Sequence, residues 1–271
     1  MVTSLEEAIG MAGKYRRPRR RRMLGLTVQR RERISPHFVS VTVGGDDFRH
    51  LEQSGYDQAG RLFFGDDTVV LPTGERWMLH YVRLPAAKRP RVRLYSIRRF
   101  RPEINAFDIE IAVHEGAPGP DWALRAQPGD KVSFLDEGYC YGPPPYATWQ
   151  LLVGDESAVP AVLAILEQSP DELPAEVFLE VPTDDDVRPE VAAPAGSRIH
   201  WLPRNDASAK PGTLALRTVR EARLRPGPFY TWAAGESALP TGLRRHLVSD
   251  RRVPKSDIAF LGYWKVGRAS P

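Results

Sequence analysis

The chain has 271 residues, of which 42% are apolar and one is a cysteine, and its net charge is +4. This length favours two domains. The lone cysteine excludes an intramolecular disulfide and a four-cysteine metal or iron–sulfur site within the chain. No apolar run approaches the roughly 18–20 residues of a membrane-spanning helix. These properties are typical of a protein of the reducing cytoplasm, which is the location we expect.

Residues 1–22 carry most of the positive charge. Seven basic and two acidic residues leave this segment at +5, so the rest of the chain has a net charge of −1. No apolar segment follows the arginine run, which argues against a twin-arginine signal. Binding of nucleic acid or an anionic membrane is one interpretation, and a solvated, disordered arm is the preferred one. We expect no stable nucleic-acid partner and at most weak contact of Arg16 to Arg22 with anionic surfaces.

Residues 23–146 contain short stretches in which apolar and polar residues alternate, the pattern of half-buried strands. Turn signals such as Ser35-Pro36 separate these stretches. Many short strands with little helical periodicity predict an antiparallel β-barrel. The segment 72–91 is expected to be an irregular surface loop. The predicted strands are 24–28, 38–43, 61–64, 68–71, 93–98, 107–114 and 131–135.

After Pro143-Pro144-Pro145 the pattern changes to strands that alternate with helices. This change predicts a Rossmann-like parallel sheet with helices on both faces, in a domain of residues 147–271 that begins near Ala147. The expected fold class is therefore β followed by α/β. The predicted strands are 150–153, 176–181, 198–202, 229–234 and 257–261, and the predicted helices are 158–168, 213–223 and 236–250.

The segment 93–98 has the residue types that hold a flat, anionic cofactor. On a strand, Arg93, Tyr95 and Ile97 share one face. A tyrosine ring can stack on a planar group, the Ser96 hydroxyl can hydrogen-bond a ring nitrogen, and an arginine pairs with phosphate in a bidentate fork. The alternative is an ordinary strand with a charged rim.

Two strand-to-helix turns in the second half are candidate dinucleotide contacts, because open α/β sheets bind ligands at the carboxyl ends of their strands. Helix N-termini offer free N–H groups to phosphate. Two acidic residues in the first turn, 154–157, would repel a phosphate, and they could instead cap the helix or meet a ribose hydroxyl. Arg204, just after a predicted strand, is a candidate for a 2′-phosphate. The candidate contacts in the turns are Gly154, Asp155, Ser157, Gly235 and Glu236.

His114 ends a predicted strand, where its imidazole could hydrogen-bond a flavin edge or a phosphate. A half-buried histidine with satisfied hydrogen bonds is the alternative. The six histidines of the chain lack metal-ligand spacing, so no metal site is predicted.

Several of these motifs resemble those of the siderophore-interacting proteins, FAD-dependent ferric-siderophore reductases within the ferredoxin–NADP reductase superfamily. The resemblance extends from about residue 23 to residue 268, and the segment 154–161 is its most specific part. The other matching segments are 93–96, 108–114, 122–123, 127–130, 141–143, 232–236 and 262–265.

This resemblance implies a six-stranded Greek-key FAD-binding barrel, then an NAD(P)H-binding α/β domain, and electron transfer from NAD(P)H through FAD to siderophore-bound Fe(III). Tyr95 would pack on the isoalloxazine, Ser96 would bond near its reactive nitrogen, and Arg93 would hold the pyrophosphate. Arg61 and Lys265 would bind the anionic ferric siderophore. The other implied contacts are Ile97, His114, Trp122 and Ala123 with FAD, and Gly154, Asp155, Ser157, Arg204, Gly235 and Glu236 with NAD(P)H.

The chain departs from the family pattern at two places. The run 117–121 is about one residue shorter, and Asp121 within it would repel a pyrophosphate. Gly138 lies near a position where some relatives have arginine, and basic residues of the insertion 72–91 could substitute for it. Two alternatives stay open: another flavin reductase of the superfamily, which delivers electrons to a protein or to free flavin, and a siderophore-binding module that has lost its flavin site.

Overall fold

The computed structural model describes residues 15–114 and 116–267, which form two compact units. One unit runs from Arg16 to Tyr139 and the other begins at Cys140, a few residues before the predicted boundary near Ala147. Among the residues described, no helix combines the length and the apolar character needed to cross a membrane.

Antiparallel strands make up the first unit. They are β1 (Met23–Ser35), β2 (Phe38–Gly44), β3 (Ala59–Phe64), β4 (Arg91–Ser96), β5 (Arg99–Arg101), β6 (Ala106–Ala112) and β7 (Lys131–Gly138). Their order in the sheet is β4-β3-β7-β1-β2-β6-β5. The connections from β2 to β3 and from β6 to β7 join strands that are not neighbours, as in a Greek key.

The two edge strands of this sheet are consecutive parts of the chain. Only Ile97 and Arg98 separate β4 from β5, and the Arg98 N–H donates to the Asp108 carbonyl at 2.8 Å. The first part of this bent strand pairs with β3 and the last part pairs with β6. Counted as one strand, β4 and β5 give the six strands expected, and this bent strand connects the two edges of the sheet, as in a Greek-key barrel.

The insertion 72–91 was predicted to be an irregular loop. It instead contains the helix α1 (Trp77–Arg83) and the 3₁₀ turn Ala86–Lys88. Trp77 is buried, and its ring makes an edge contact with the ring of Phe63, with 4.9 Å between centroids. Burial of a large aromatic side chain stabilises an element that is too short to be stable alone.

Two strand predictions for the barrel also differ from the structure. Residues 68–71 form no strand, because Asp66 accepts hydrogen bonds from the backbone and the hydroxyl of Thr68 and thereby stabilises a local turn. The first strand, predicted at 24–28, extends to Ser35, because the antiparallel pairing with β2 continues through exposed charged residues.

Within residues 15–22, which were predicted to belong to a disordered arm, Arg16 and Arg21 contact the end of β7. Arg16 exchanges backbone hydrogen bonds with Tyr139, with N···O distances of 2.8 and 3.1 Å. The rest of the predicted arm, residues 1–14, lies outside the described residues.

Gly138 allows this segment to approach β7. Its φ is +101°, and a Cβ at this position would lie 2.0 Å from the Arg16 carbonyl oxygen. A larger residue at this position would therefore displace the segment that contains Arg16.

The barrel interior is apolar. Phe107 and Phe134 are fully buried with ring centroids 4.7 Å apart. A short helix, α2 (Pro118–Ala123), adds Trp122, whose ring centroid lies 4.9 Å from that of Phe64. The run 117–121, flagged as a departure, therefore lies largely in this helix.

The second unit has a parallel sheet of five strands in the order β10-β9-β8-β11-β12. Its strands are β8 (Trp149–Gly154), β9 (Ala175–Val181), β10 (Arg198–Pro203), β11 (Phe229–Glu236) and β12 (Ile258–Trp264), and its helices are α3 (Val159–Gln168), α4 (Thr213–Glu221) and α5 (Ala238–Ser249). Every residue of β8 and β9 is buried, as expected for central strands of a covered parallel sheet. The strand order reverses between β8 and β11, where open α/β sheets bind ligands.

Candidate functional site

In the barrel, β4 places Arg93 and Tyr95 beside the first turn of α2. A Cβ added at Gly119 would lie 2.0 Å from the Tyr95 hydroxyl oxygen and 3.9 Å from Arg93 Cγ. The ring of Tyr95 is half-buried and packs against the barrel core. Glycine is therefore needed at position 119 for the tyrosine and the arginine to converge there.

The charges at this edge suit an anionic cofactor with a planar ring. The Arg93 guanidinium donates to the Val92 carbonyl at 2.7 Å and has no acidic partner among the described residues. Burial raises the pKa of Tyr95 despite the opposing effect of Arg93, so the phenol is neutral. Ser96 follows on the same strand and is half-buried. A cation, a neutral ring and a hydroxyl beside a glycine fit the pyrophosphate and isoalloxazine of FAD.

The other predicted FAD contacts have different surroundings. Ile97, Trp122 and Ala123 belong to the barrel core. The Trp122 indole N–H is buried and has no acceptor among the described residues, which is an unfavourable state for a donor. His114 is exposed, two residues after β6 ends. Contact of these four residues with FAD stays a prediction.

In the α/β unit, the carboxylate of Asp155 joins the carboxyl ends of β8, β11 and β12. It accepts hydrogen bonds from the hydroxyl and backbone of Ser157, at 2.5 and 3.0 Å, from the Glu236 N–H at 2.6 Å, and from the Trp264 indole at 3.2 Å. Burial raises the pKa of Asp155 to about 7, and the charge of Glu156 adds to this effect. Both carboxylate oxygens are therefore used within the protein, so the Asp155 side chain positions the two turns and has no lone pair directed at a ribose.

Arg204 is part of a buried ion-pair cluster. Its guanidinium donates to both oxygens of Glu156, at 2.8 and 2.9 Å, and to Glu180 at 2.9 Å. The Arg204 side chain is only 8% exposed, and Glu180 also accepts the N–H groups of Gly212 and Ala215 that open α4. The contact of Arg204 with a 2′-phosphate stays a prediction, and the structure shows this guanidinium paired with two carboxylates.

Glu236 caps the N-terminus of α5. Its carboxylate accepts the Ala238 N–H at 2.8 Å and the exposed Lys210 ammonium at 3.3 Å. Gly235 has a φ of +136°, and a Cβ there would lie 2.6 Å from Asp155 Cγ. The two glycines of the turns thus make room for protein side chains, since a Cβ on Gly154 would likewise lie 2.5 Å from the Cβ of Ala158.

The two residues predicted to contact the siderophore, Arg61 and Lys265, differ in their accessibility to an anionic ligand. Arg61 of the barrel pairs with buried Glu137 at 2.6 Å and lies over the Trp77 ring, so it is a structural cation. Lys265 of the α/β unit is exposed and makes no ion pair with the described residues. Of the two, Lys265 is the cation that an anionic ligand can reach.

Sequence reasoning missed three residues of these clusters. Gly119 had no signal beyond its place in a glycine-proline run. Lys210 lies in a loop, and nothing in the sequence connects it with Glu236. Trp264 was part of a matching segment, but its hydrogen bond to Asp155 spans 109 positions of the chain.

Sequence comparison identifies both halves of the chain. Residues 27–139 match the model of the siderophore-interacting FAD-binding domain, and residues 147–267 match the model of the siderophore-interacting protein. A curated relative, the ferric vibriobactin reductase ViuB of Vibrio cholerae, is 31% identical over 252 residues, which cover 88% of each chain.

Structural comparison gives the same result. A siderophore utilization protein from T. fusca superposes with a TM-score of 0.80 at 30% identity, over 95% of this chain and 97% of that one. The siderophore-interacting protein SipS of Aeromonas hydrophila has a TM-score of 0.73 at 26% identity, over 92% of this chain and 93% of that one.

Proposed function

The chain belongs to the siderophore-interacting protein family, and from this membership we propose that it is an FAD-containing, NAD(P)H-dependent reductase of ferric siderophores. The observation that carries the proposal is the convergence of Arg93 and Tyr95 on Gly119 in the domain that matches the family's FAD-binding model. The relative ViuB, which is named a ferric vibriobactin reductase, supports the reaction class.

The barrel residues hold and orient the cofactor in this proposal. Arg93 neutralises the pyrophosphate, Tyr95 packs on the ring system as an uncharged phenol, and Ser96 donates a hydrogen bond to its edge. When bound, FAD supplies the redox chemistry that joins a two-electron hydride donor to a one-electron acceptor. No side chain is then required as a general acid or base.

The turns of the α/β unit border the nicotinamide nucleotide. Gly154 and Gly235 lie at the switch point between β8 and β11, and the Asp155 carboxylate holds both turns through its hydrogen bonds to Ser157 and Glu236. Because the Arg204 side chain is only 8% exposed and that of Lys210 is 49% exposed, Lys210 is a candidate cation for a phosphate, which would compete with Glu236 for it.

The substrate is a ferric siderophore, an anionic chelate whose hard oxygen ligands hold Fe(III). Reduction lowers the charge of the ion, so the same ligands hold Fe(II) far more weakly and iron is released for use by the cell. Exposed Lys265 provides a cation for the anionic chelate. We place this reaction in the cytoplasm, where released Fe(II) would enter metabolism.

An anaerobic spectroscopic assay tests this proposal. The purified protein should show the absorbance bands of bound flavin, and NAD(P)H should bleach them. Adding a ferric catecholate or a ferric hydroxamate siderophore should then restore the bands, and a chromogenic Fe(II) chelator should record two Fe(II) for each NAD(P)H, since a hydride carries two electrons.

The same assay distinguishes the alternatives. A protein that takes up no added FAD but binds the siderophore would be a binding module, and this result would overturn the enzymatic proposal. A flavoprotein that NAD(P)H reduces, but that reduces no ferric siderophore, would be a reductase with a protein or flavin acceptor.

A further inference from the structure

A cavity of about 590 Å³ lies at the amino edge of the parallel sheet, the edge opposite to the nucleotide turns. Its lining residues lie at or just before the first residues of β8, β9, β10 and β11. The turns at Gly154 and Gly235 lie at the other ends of these strands, about 16 Å away at roughly 3.3 Å per residue. The cavity is therefore separate from the site described above.

Three arginines line this cavity: Arg198, Arg223 and Arg225. Arg198 and Arg223 are exposed and make no ion pair with the described residues. Arg225 is held in place, because it donates to Glu176 at 3.1 Å and to the Gly196 carbonyl at 2.5 Å. No Asp or Glu side chain belongs to the lining that the structure describes.

Trp149 also lines the cavity and forms a fixed part of its wall. Its side chain is 2% exposed, and its indole N–H is buried without an acceptor among the described residues. The ring is fixed by stacking on Phe229, with 4.3 Å between centroids. The arginines therefore share the cavity with a rigid aromatic wall.

We propose that this cavity binds a small polyanion with at least two phosphate or carboxylate groups. Arg198 and Arg223 would each pair with one group in the bidentate geometry that guanidinium favours. The volume is within the range of small-molecule sites, about 300–1,000 Å³. This proposal does not depend on the redox activity of the protein.

Calorimetric titration of the full chain with pyrophosphate, and separately with citrate, tests the proposal. We expect saturable binding of at least one probe, weakening with added salt, and at least tenfold loss of affinity in Arg198→Gln/Arg223→Gln. The matched control is Arg217→Gln/Arg245→Gln, which removes two exposed arginines of the same unit that do not line the cavity. Its affinity should stay within twofold of the wild type.

Indole N–H signals of ¹⁵N-labelled protein locate the bound probe. The signal that disappears in Trp149→Phe is assigned to Trp149, and it should shift during the titration with the same affinity. Preference for pyrophosphate or for citrate would identify the group that is recognised. Binding of neither probe, equal loss of affinity in both double variants, or an unmoved Trp149 signal would each overturn the proposal.

Discussion

The carboxylate of Asp155 lies directly against the backbone of Gly235, so that any Cβ at Gly235 would lie 2.6 Å from Asp155 Cγ. Asp155 follows β8 and Gly235 is near the end of β11, so this contact joins the two turns at the switch point of the sheet. The Glu236 N–H, which donates to Asp155 at 2.6 Å, completes the link. The geometry of the candidate nucleotide cleft thus depends on a buried acid and a glycine.

Gly235→Ala should destabilise the α/β unit by about 3 kcal/mol or more, because it combines an unfavourable φ with a steric clash. The control is Gly196→Ala, where φ is also positive but nothing lies within 4 Å of an added Cβ; there we expect a loss of about 1 kcal/mol. Denaturant unfolding measures both. Equal losses would mean that the clash with Asp155 is relieved without cost.

The pH dependence of stability should report Asp155. Burial raises its pKa to about 7 in the folded chain, whereas in the unfolded chain it is about 4. The folded state therefore binds the extra proton between these values. The contribution of Asp155 to stability is fully present below about pH 4 and is lost as pH rises to about 7, by roughly 1–4 kcal/mol.

Asp155→Asn should flatten this slope, since the amide does not titrate, even though the variant is less stable at every pH. Asp136 of the barrel has its pKa raised to about 6 by burial, and it will leave a residual slope of the same sign. An unchanged slope in Asp155→Asn, measured by chemical denaturation from pH 4 to 8, would contradict the assignment.

The sequence predicts an element well when neighbouring residues determine it, and poorly when a contact distant in the sequence does. The strand at 38–44 and the helix that begins at Val159 were predicted within one or two residues, because period and turn residues are local signals. The helix Trp77–Arg83 was missed, because its stability comes from Trp77 packing on Phe63, a contact that no short window contains.

The candidate site shows the same division. The types of Arg93, Tyr95 and Ser96 predicted a flavin edge from six consecutive residues. The ion pairs of Arg204 could not be predicted, because its partners are 48 and 24 positions away in the sequence. Ion pairs between residues that are far apart in the sequence produce no periodic pattern from which they could be predicted.

Arg204→Gln should lower stability by about 3 kcal/mol, because it leaves the buried Glu180 and the partly buried Glu156 without their partner. The ratio of kcat/KM for NADPH and NADH should stay within twofold, because the guanidinium does not face a ligand. Arg204→Lys should recover part of the stability, and Arg217→Gln, an exposed change on α4, should have little effect. A selective loss of NADPH activity at unchanged stability would restore the 2′-phosphate role.

Lys265→Gln and Arg61→Gln should separate a substrate contact from a structural cation. Lys265→Gln should raise KM for a ferric siderophore about twofold to fivefold, an effect that salt reduces, without lowering the melting temperature. Arg61→Gln should lower the melting temperature, because it removes a partner of buried Glu137, and should leave KM unchanged. The opposite pattern would make Arg61 the substrate contact.

Flavin affinity should show strong coupling between Tyr95 and Gly119. Gly119→Ala alone should weaken FAD binding at least tenfold, because the added Cβ meets the tyrosine hydroxyl at 2.0 Å and displaces the ring. In the double variant Gly119→Ala/Tyr95→Phe the nearest ring atom would be 3.3 Å away, so affinity should return to within about threefold of Tyr95→Phe alone. Quenching of FAD fluorescence on titration into apoprotein measures all four affinities, and unfolding curves establish that each variant is folded. If the two effects simply add, the tyrosine hydroxyl and the α2 turn do not shape the flavin site together, and the contact between them would be incidental packing.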